Sequence, residues 1–219
     1  MNQYSFWICI AFLLSSCATP YSTMKKYYQE ATICCESINQ FNFELIQIGD
    51  SKYFDLNERS PAYFFETGKS YFKAFALPQS YPYQLSIGSY MHGYFGPEYI
   101  FFPQILTLNE NYKVVRLTDQ NHFRLRRIGY FENGKPIWGP PYKIEGQISF
   151  TEENKNEKYL IIFTTNELLK GKTSISSMSF YPMYIHGVGI IHLPLSNVEV
   201  SVPYSPVGRI RVSVDSIKE

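Results

Sequence analysis

Tyr142-Lys143-Ile144-Glu145-Gly146-Gln147-Ile148-Ser149-Phe150 alternates apolar and polar residues, and Tyr159-Leu160-Ile161-Ile162-Phe163-Thr164 is a short unbroken apolar run. Both read as β-strands, the first half-buried and the second buried. Between them, Glu152-Glu153-Asn154-Lys155-Asn156 reads as a polar hairpin turn. The same texture holds from Phe41 onward, on both sides of these two runs. Further strands are expected at Phe43–Ile48, Tyr53–Leu56, Ala62–Phe65, Tyr71–Leu77, Tyr83–Ser89, Gln104–Leu108, Lys113–Leu117, Phe123–Phe131 and Gly208–Val214. Gly49-Asp50 and Asn133-Gly134 suit tight reversals because these residues tolerate positive φ. A Gly68-Lys69-Ser70 turn is expected to join two antiparallel strands, with Phe65, Phe72, Phe75 and Leu77 in the core. Phe72 and Phe75 fall on opposite faces by strict alternation, so one of them needs cover from outside the main core, or a bulge.

Helices are few. Met24 to Glu30 suits a brief helix, and Thr165 to Gly171 a turn or two, capped at one end and closed by Gly. Lys172 to Ser205 is rich in Ser, Gly and Pro and reads as an irregular surface segment. The expectation is therefore an all-β fold, an antiparallel β-sandwich with one or two short helices. Residues 34–219 form its single domain, and residues 17–33 a tether and short helix.

The N-terminus carries a separate message. An uncharged apolar stretch, Phe6 to Leu14, is followed by Ser15-Ser16-Cys17-Ala18. This is the layout of a lipoprotein signal peptide over residues 1–16, with Cys17 as the new N-terminus and the site of lipid attachment. The stretch is shorter than the ~20 residues that span a bilayer. Its n-region, Met1 to Ser5, has no Lys or Arg. Several acyl chains on Cys17, at about 0.8 kcal/mol per methylene, would hold the protein on the membrane. Ala18 at the second mature position, rather than Asp, points by enteric sorting rules to the outer membrane, facing the periplasm.

Composition narrows the partners. The chain has 219 residues, with Lys plus Arg at 20 and Asp plus Glu at 19. A body so near neutrality offers no basic field for nucleic acid. Aromatics make up 17% of the chain, with 19 Tyr and 17 Phe. Such enrichment suits pleated sheets, and it also suits stacking on sugar faces. Of the four cysteines, Cys9 leaves with the signal and Cys17 takes the lipid. Cys34 and Cys35 are left as a strained vicinal disulfide, an intermolecular bond or two free thiols.

Signatures of catalysis are missing. Gly68-Lys69-Ser70 and Gly171-Lys172-Thr173 end like phosphate loops, but Tyr63 and Asn166 stand where the first glycine is needed. There is no Gly-x-Ser-x-Gly and no His-Glu-x-x-His. His186 and His192 lack a Cys or carboxylate at ligand spacing, and read as loop histidines. Asp55 with Glu58, and Glu152-Glu153, read as surface carboxylates rather than a glycosidase pair. Arg124 and Arg126 share a strand face as a solvated edge. No enzyme and no cofactor is expected.

Cys34-Cys35-Glu36-Ser37 leading to Phe41, Ser60-Pro61 before Phe64, and Gly68 to Pro78 follow one another in a characteristic order. Phe101-Phe102-Pro103-Gln104-Ile105-Leu106-Thr107-Leu108-Asn109, Tyr159 to Thr165 and Ser205-Pro206-Val207-Gly208-Arg209-Ile210 complete it. Together these segments resemble the maltose operon periplasmic protein (MalM) family. The resemblance implies an envelope protein linked to maltose or maltodextrin uptake, and carries over no catalytic residue. Two departures stand out: a lipobox in place of a soluble periplasmic form, and an end at Glu219 without an Ala/Pro-rich extension. The functional expectation is a noncatalytic binding or accessory lipoprotein. It would meet a glycan through exposed aromatics, namely Tyr90, Tyr94, Phe95, Tyr99, Trp138 and Tyr142. The alternative is an envelope assembly or scaffolding lipoprotein that binds other proteins through Lys172–Ser205.

Overall fold

The computed structural model describes residues 21–92, 98–128, 131–132, 135–136, 142–185 and 189–217. Two five-stranded sheets form the body. The first runs β1 (Glu44–Leu45), β5 (Lys73–Ala76), β14 (Tyr159–Phe163), β8 (Gln104–Leu108), β9 (Val114–Leu117). The second runs β10 (Phe123–Arg127), β13 (Tyr142–Phe150), β6 (Tyr83–Tyr90), β17 (Gly208–Ser216), β2 (Ser51–Leu56). Every pairing within them is antiparallel except β1 with β5. The fold is thus an all-β sandwich, as the alternating text requires.

The core follows from parity. Leu85 and Ile87 of β6, Ile144, Ile148 and Phe150 of β13, and Ile210, Val212 and Val214 of β17 point to one side of their sheet. They meet Phe75, Ile105, Leu160 and Ile162 from the other sheet. The opposite parity of that other sheet, Leu106, Leu108, Ile161 and Phe163, is buried as well. It is covered by the segment around Phe41 and by the hairpin of β3 (Ala62–Phe65) and β4 (Gly68–Tyr71). Phe41 stacks on Phe72 at 4.0 Å and Phe65 on Phe163 at 4.3 Å. This second layer is why β14 is a continuous apolar run: it is buried on both faces, and each large side chain withdrawn from water contributes about 1.5–3 kcal/mol. Phe75 belongs to the inter-sheet core and Phe72 to the outer layer, as their alternation demands.

Helix α1 (Tyr21–Glu30) closes one end. Met24 and Tyr28, one turn apart, bury against Ala62, Tyr71, Tyr99 and Val207. Lys69 Nζ donates to the carbonyls of Gln29 at 2.5 Å and Ala31 at 3.2 Å, which satisfies groups the helix end leaves open. Cys34 and Cys35 are joined by a disulfide, the alternative that the sequence left undecided.

Four expectations need correction. The polar stretch after Phe150 is no hairpin: it carries the chain from β13 in one sheet to β14 in the other, through a short 3-10 turn at Glu152–Asn154. Its composition specifies a reversal but not which sheet receives the next strand. In the β3–β4 hairpin the turn is Glu66-Thr67, and Gly68 already pairs with Phe65. The Thr165–Gly171 stretch holds only a 3-10 turn at Leu168–Lys170. The largest correction is Lys172–Ser205, which forms β15 (Lys172–Ile185) and β16 (Gly189–Ser205), an antiparallel ribbon. Its serines and prolines hide the strand signal, but the two segments supply each other's ladder bonds. The ribbon is rooted by parallel pairing of Tyr204 and Ser205 with β7 (Ile100–Phe101).

Candidate functional site

The residues expected to meet a ligand scatter once the chain is folded. Tyr90 and Tyr99 are each only 7% exposed. Tyr90 lies inside β6, paired with Lys143 and Arg209. Tyr99 bridges His92 and stacks against it at 4.8 Å, and burial pushes its hydroxyl pKa up to about 12. The same burial holds the His92 imidazole below its ordinary pKa. Tyr142 is buried too, its hydroxyl donating to the Ser176 carbonyl. All three rings are covered: Tyr142 lies in the inter-sheet core, Tyr99 in the cluster under α1, and Tyr90 on the outer face of its sheet against Tyr53 at 5.9 Å. Tyr94, Phe95, Trp138 and Cys17 lie outside the described residues. Asp55 pairs with Arg209 at 3.4 Å and Arg126 with Glu145 at 3.6 Å, both on the surface.

A cleft of about 880 Å³ opens instead where three distant segments meet. The β3–β4 hairpin supplies Phe64, Glu66, Thr67 and Gly68; the edge of the first sheet supplies Gln104, Leu117 and Gln120; the loop after β14 supplies Thr165, Asn166, Glu167 and Lys170. Phe64 is 67% exposed and Leu117 50% exposed. Phe65 takes the interior face of β3, so the next position on the other face, Phe64, is presented to water.

The polar wall is held from behind. Gln104 is buried, and its amide nitrogen donates to the Thr118 carbonyl and, at 3.3 Å, to Thr118 Oγ1. Thr118 Oγ1 in turn accepts from the Ile105 amide at 3.1 Å. Thr165 Oγ1 accepts from the Leu168 amide at 3.1 Å, which fixes the 3-10 turn carrying Lys170. Asn166 packs across Gly68, where φ is +112°, and its amide donates to the Thr67 carbonyl at 3.3 Å. Behind it, the Tyr28 hydroxyl donates to the Lys69 carbonyl, and burial pushes its pKa up to about 12. Ser70 Oγ, fully buried, accepts from the Thr164 amide at 3.0 Å and donates to the Tyr71 carbonyl at 2.7 Å. The hairpin and the loop after β14 are thus locked together below the cleft floor.

One ion pair and one further carboxylate make up the charge of the cleft lining. Lys170 and Glu167 pair at 2.7 Å, and Glu66 adds a second carboxylate. Asp119 accepts from the Asn121 amide at 2.9 Å beside Gln120, and these hydrogen bonds hold its carboxyl below the usual range. No group of three or more His, Cys, Asp or Glu suited to a metal ion occurs among the described residues. Among the described residues the lining contains no His, Cys or Ser. An exposed ring beside fixed amides, carboxylates and hydroxyls is chemistry for a neutral, hydroxyl-rich ligand. A second hollow of about 510 Å³, lined by Lys155, Lys158, Asn109, Glu110, Asn156 and Val115, offers no ring.

The family described as maltose operon periplasmic protein precursor (MalM) matches residues 67–214, more than half of the chain. The chain belongs to the maltose operon periplasmic protein family. The matched region of this MalM family member runs from the β3–β4 turn into β17, as far as Val214, and takes in both sheets apart from β1, β2 and the last two residues of β17. It holds every cleft residue except Phe64 and Glu66. The family is described as periplasmic, which puts the protein in the cell envelope. No curated protein matches the chain.

Proposed function

We propose that this protein is a noncatalytic, periplasm-facing accessory protein that holds a neutral oligosaccharide, a maltodextrin above all, in the cleft beside Phe64. In this reading it is lipid-anchored through Cys17, in the outer membrane. The observation that carries the reading is the pairing of a largely exposed ring with amide side chains fixed from behind. A sugar ring has an apolar face, which a phenyl ring covers, and a rim of hydroxyls, which amides and carboxylates satisfy. Fixed polar groups bind better than mobile ones because their ordering cost has been met in folding. The membership in a maltose operon family supports the sugar class.

Titration calorimetry of the purified protein with a panel of maltodextrins and cell-wall glycans tests it. The expected result is binding that changes little with salt, because the contacts are neutral, and that is lost in Phe64→Ala. Failure to bind any of these glycans overturns the reading. Turnover of a glycan that stops in Glu66→Gln or Glu167→Gln makes the protein an enzyme instead.

A further inference from the structure

The β15–β16 ribbon changes character along its length. At its root it behaves as a soluble strand pair: Ile175 and Val202 are buried while Ser174, Ser176, Glu199 and Ser201 are exposed. Further out the alternation stops. In a chain that is 18% charged, the run from Thr173 to Val198 contains no Asp, Glu, Lys or Arg. The ladder places Tyr181 opposite Leu193, Met183 opposite Ile191 and Tyr184 opposite Ile190. By the period of two, positions 180, 182 and 184 share one face and 181, 183 and 185 the other. Both faces therefore carry large apolar residue types. A two-stranded ribbon in water is marginal even with one polar face, so a ribbon of this composition needs an apolar surround.

The root identifies that surround. Tyr21 OH, at the start of α1, donates to the Tyr204 carbonyl at 2.7 Å, and Tyr204 is one of the two residues that tie the ribbon to β7. The sulfur of Cys17 lies only four residues before Tyr21, a reach of at most about 14 Å. A lipid on Cys17, as proposed above, would therefore be tethered within that chain length of Tyr21 and the ribbon root. The ribbon's fourteen-residue strand β15 spans about 45 Å, ample to reach a nearby bilayer.

We infer that the outer half of the β15–β16 ribbon, residues 180–185 and 189–195, docks into the interfacial layer of a lipid bilayer. It lies in that layer and does not cross it: among the described residues β16 pairs outside the ribbon only with β7 and β15 has no second partner, and open edges are not tolerated in hydrocarbon. Tyr181 and Tyr184 are residue types that favour the headgroup boundary. Pro182 and Pro194 each remove a backbone donor from the ribbon, which makes it a poor template for strand addition by a partner protein. The inference rests on the envelope location proposed above, and deepens it by adding a second membrane contact.

A single-tryptophan reporter tests it. Met183→Trp is placed in a Trp7→Phe, Trp138→Phe background, with Ser174→Trp at the root as control, and each protein is mixed with phosphatidylethanolamine vesicles whose acyl chains are brominated. The expected result is loss of more than half of the Met183→Trp emission, with the Ser174→Trp emission unchanged. A further Ile191→Glu substitution should abolish that quenching. Emission from Met183→Trp that ignores the bromines, or equal quenching at both positions, overturns the inference. So does protection of Met183→Trp only when one envelope protein co-purifies, which would make the surround a protein groove. Mass spectrometry of the same preparation reads acylation separately: quenching on an unacylated chain sinks the anchor and leaves the ribbon docking intact.

Discussion

Asn166 lies across Gly68 so closely that a Cβ built on the glycine would stand 2.1 Å from its Nδ2. With φ at +112°, position 68 is also in a region that L side chains avoid. Gly68 opens β4 immediately after the Glu66-Thr67 turn, and Asn166 leads out of β14, so the contact fixes the angle between two walls of the cleft.

Gly68→Ala is therefore expected to destabilise the protein by about 1–3 kcal/mol through backbone strain. The clash and the strain can be separated. Asn166→Gly removes the obstructing amide but leaves φ unchanged, so the double variant should regain only part of the loss. Urea unfolding midpoints measure it; full recovery in the double variant would show that the contact alone, not the positive φ, restricts this site.

Phe72→Ala and Phe75→Ala probe two different layers. Phe75 is fully buried between the sheets, and Phe72 is 2% exposed beneath Phe41. Each should cost about 3–5 kcal/mol. The two losses should differ in one respect: Phe41→Ala should reduce the further cost of Phe72→Ala, with which it stacks, but not that of Phe75→Ala. Equal coupling to both would contradict the layered arrangement.

How much of this was readable beforehand depends on how local each feature is. Ala62–Phe65, Gln104–Leu108 and Tyr142–Phe150 were legible to the residue, since alternation and apolar runs are properties of the strand itself. The opposite fates of Phe72 and Phe75 follow from parity alone. The β15–β16 ribbon was not legible, because Ser174, Ser176, Ser177 and Pro182 lack strand propensity and gain order only from partners elsewhere in the chain, Ser201, Glu199, Val198 and His192. Nor was the cleft. Phe64, Gln104 and Asn166 are separated by long stretches of chain, and Phe64 reads in sequence only as part of the Ala62–Phe65 strand. Tyr90 and Tyr99 look like exposed contact residues beside a glycine-rich loop, yet each is only 7% exposed, covered by packing from elements distant in sequence.

Glu44 joins the two sheets at one edge of the sandwich. It accepts from Lys73 Nζ of β5 at 2.6 Å and from Lys52 Nζ of β2 at 2.9 Å. Hydrogen bonding to Lys73 first, and to Lys52 next, holds its carboxyl below the usual glutamate range. A carboxyl with a lowered folded-state pKa stabilises the fold fully above its unfolded value, and that stabilisation disappears as pH falls through the folded value. Since the side chain is 41% exposed, solvent screening keeps the effect to about 0.5 kcal/mol. Wild type should thus be more stable than Glu44→Gln at neutral pH, with the gap closing in acid and shrinking in high salt. A gap that widens on acidification would reverse the assignment.

Phe64 distinguishes a binding ring from a packing ring. Being two-thirds exposed, it has little folding energy to lose, and Phe64→Ala should leave the urea midpoint within about 0.5 kcal/mol of wild type. Its loss should instead appear in ligand affinity. A truncated stacking residue at the centre of a binding site typically costs about 1–2 kcal/mol or more, roughly a tenfold or greater rise in maltodextrin Kd. Phe64→Trp keeps a flat apolar surface and should retain affinity. Gln104→Ala is the contrasting case: it removes the amide that donates to Thr118, and should lower both stability and affinity because a buried carbonyl loses its partner. If Phe64→Ala lowers the unfolding midpoint as much as Phe72→Ala does, the ring belongs to the fold and the cleft has no exposed platform. If it leaves both stability and affinity untouched while the protein still binds maltodextrin, the sugar sits elsewhere.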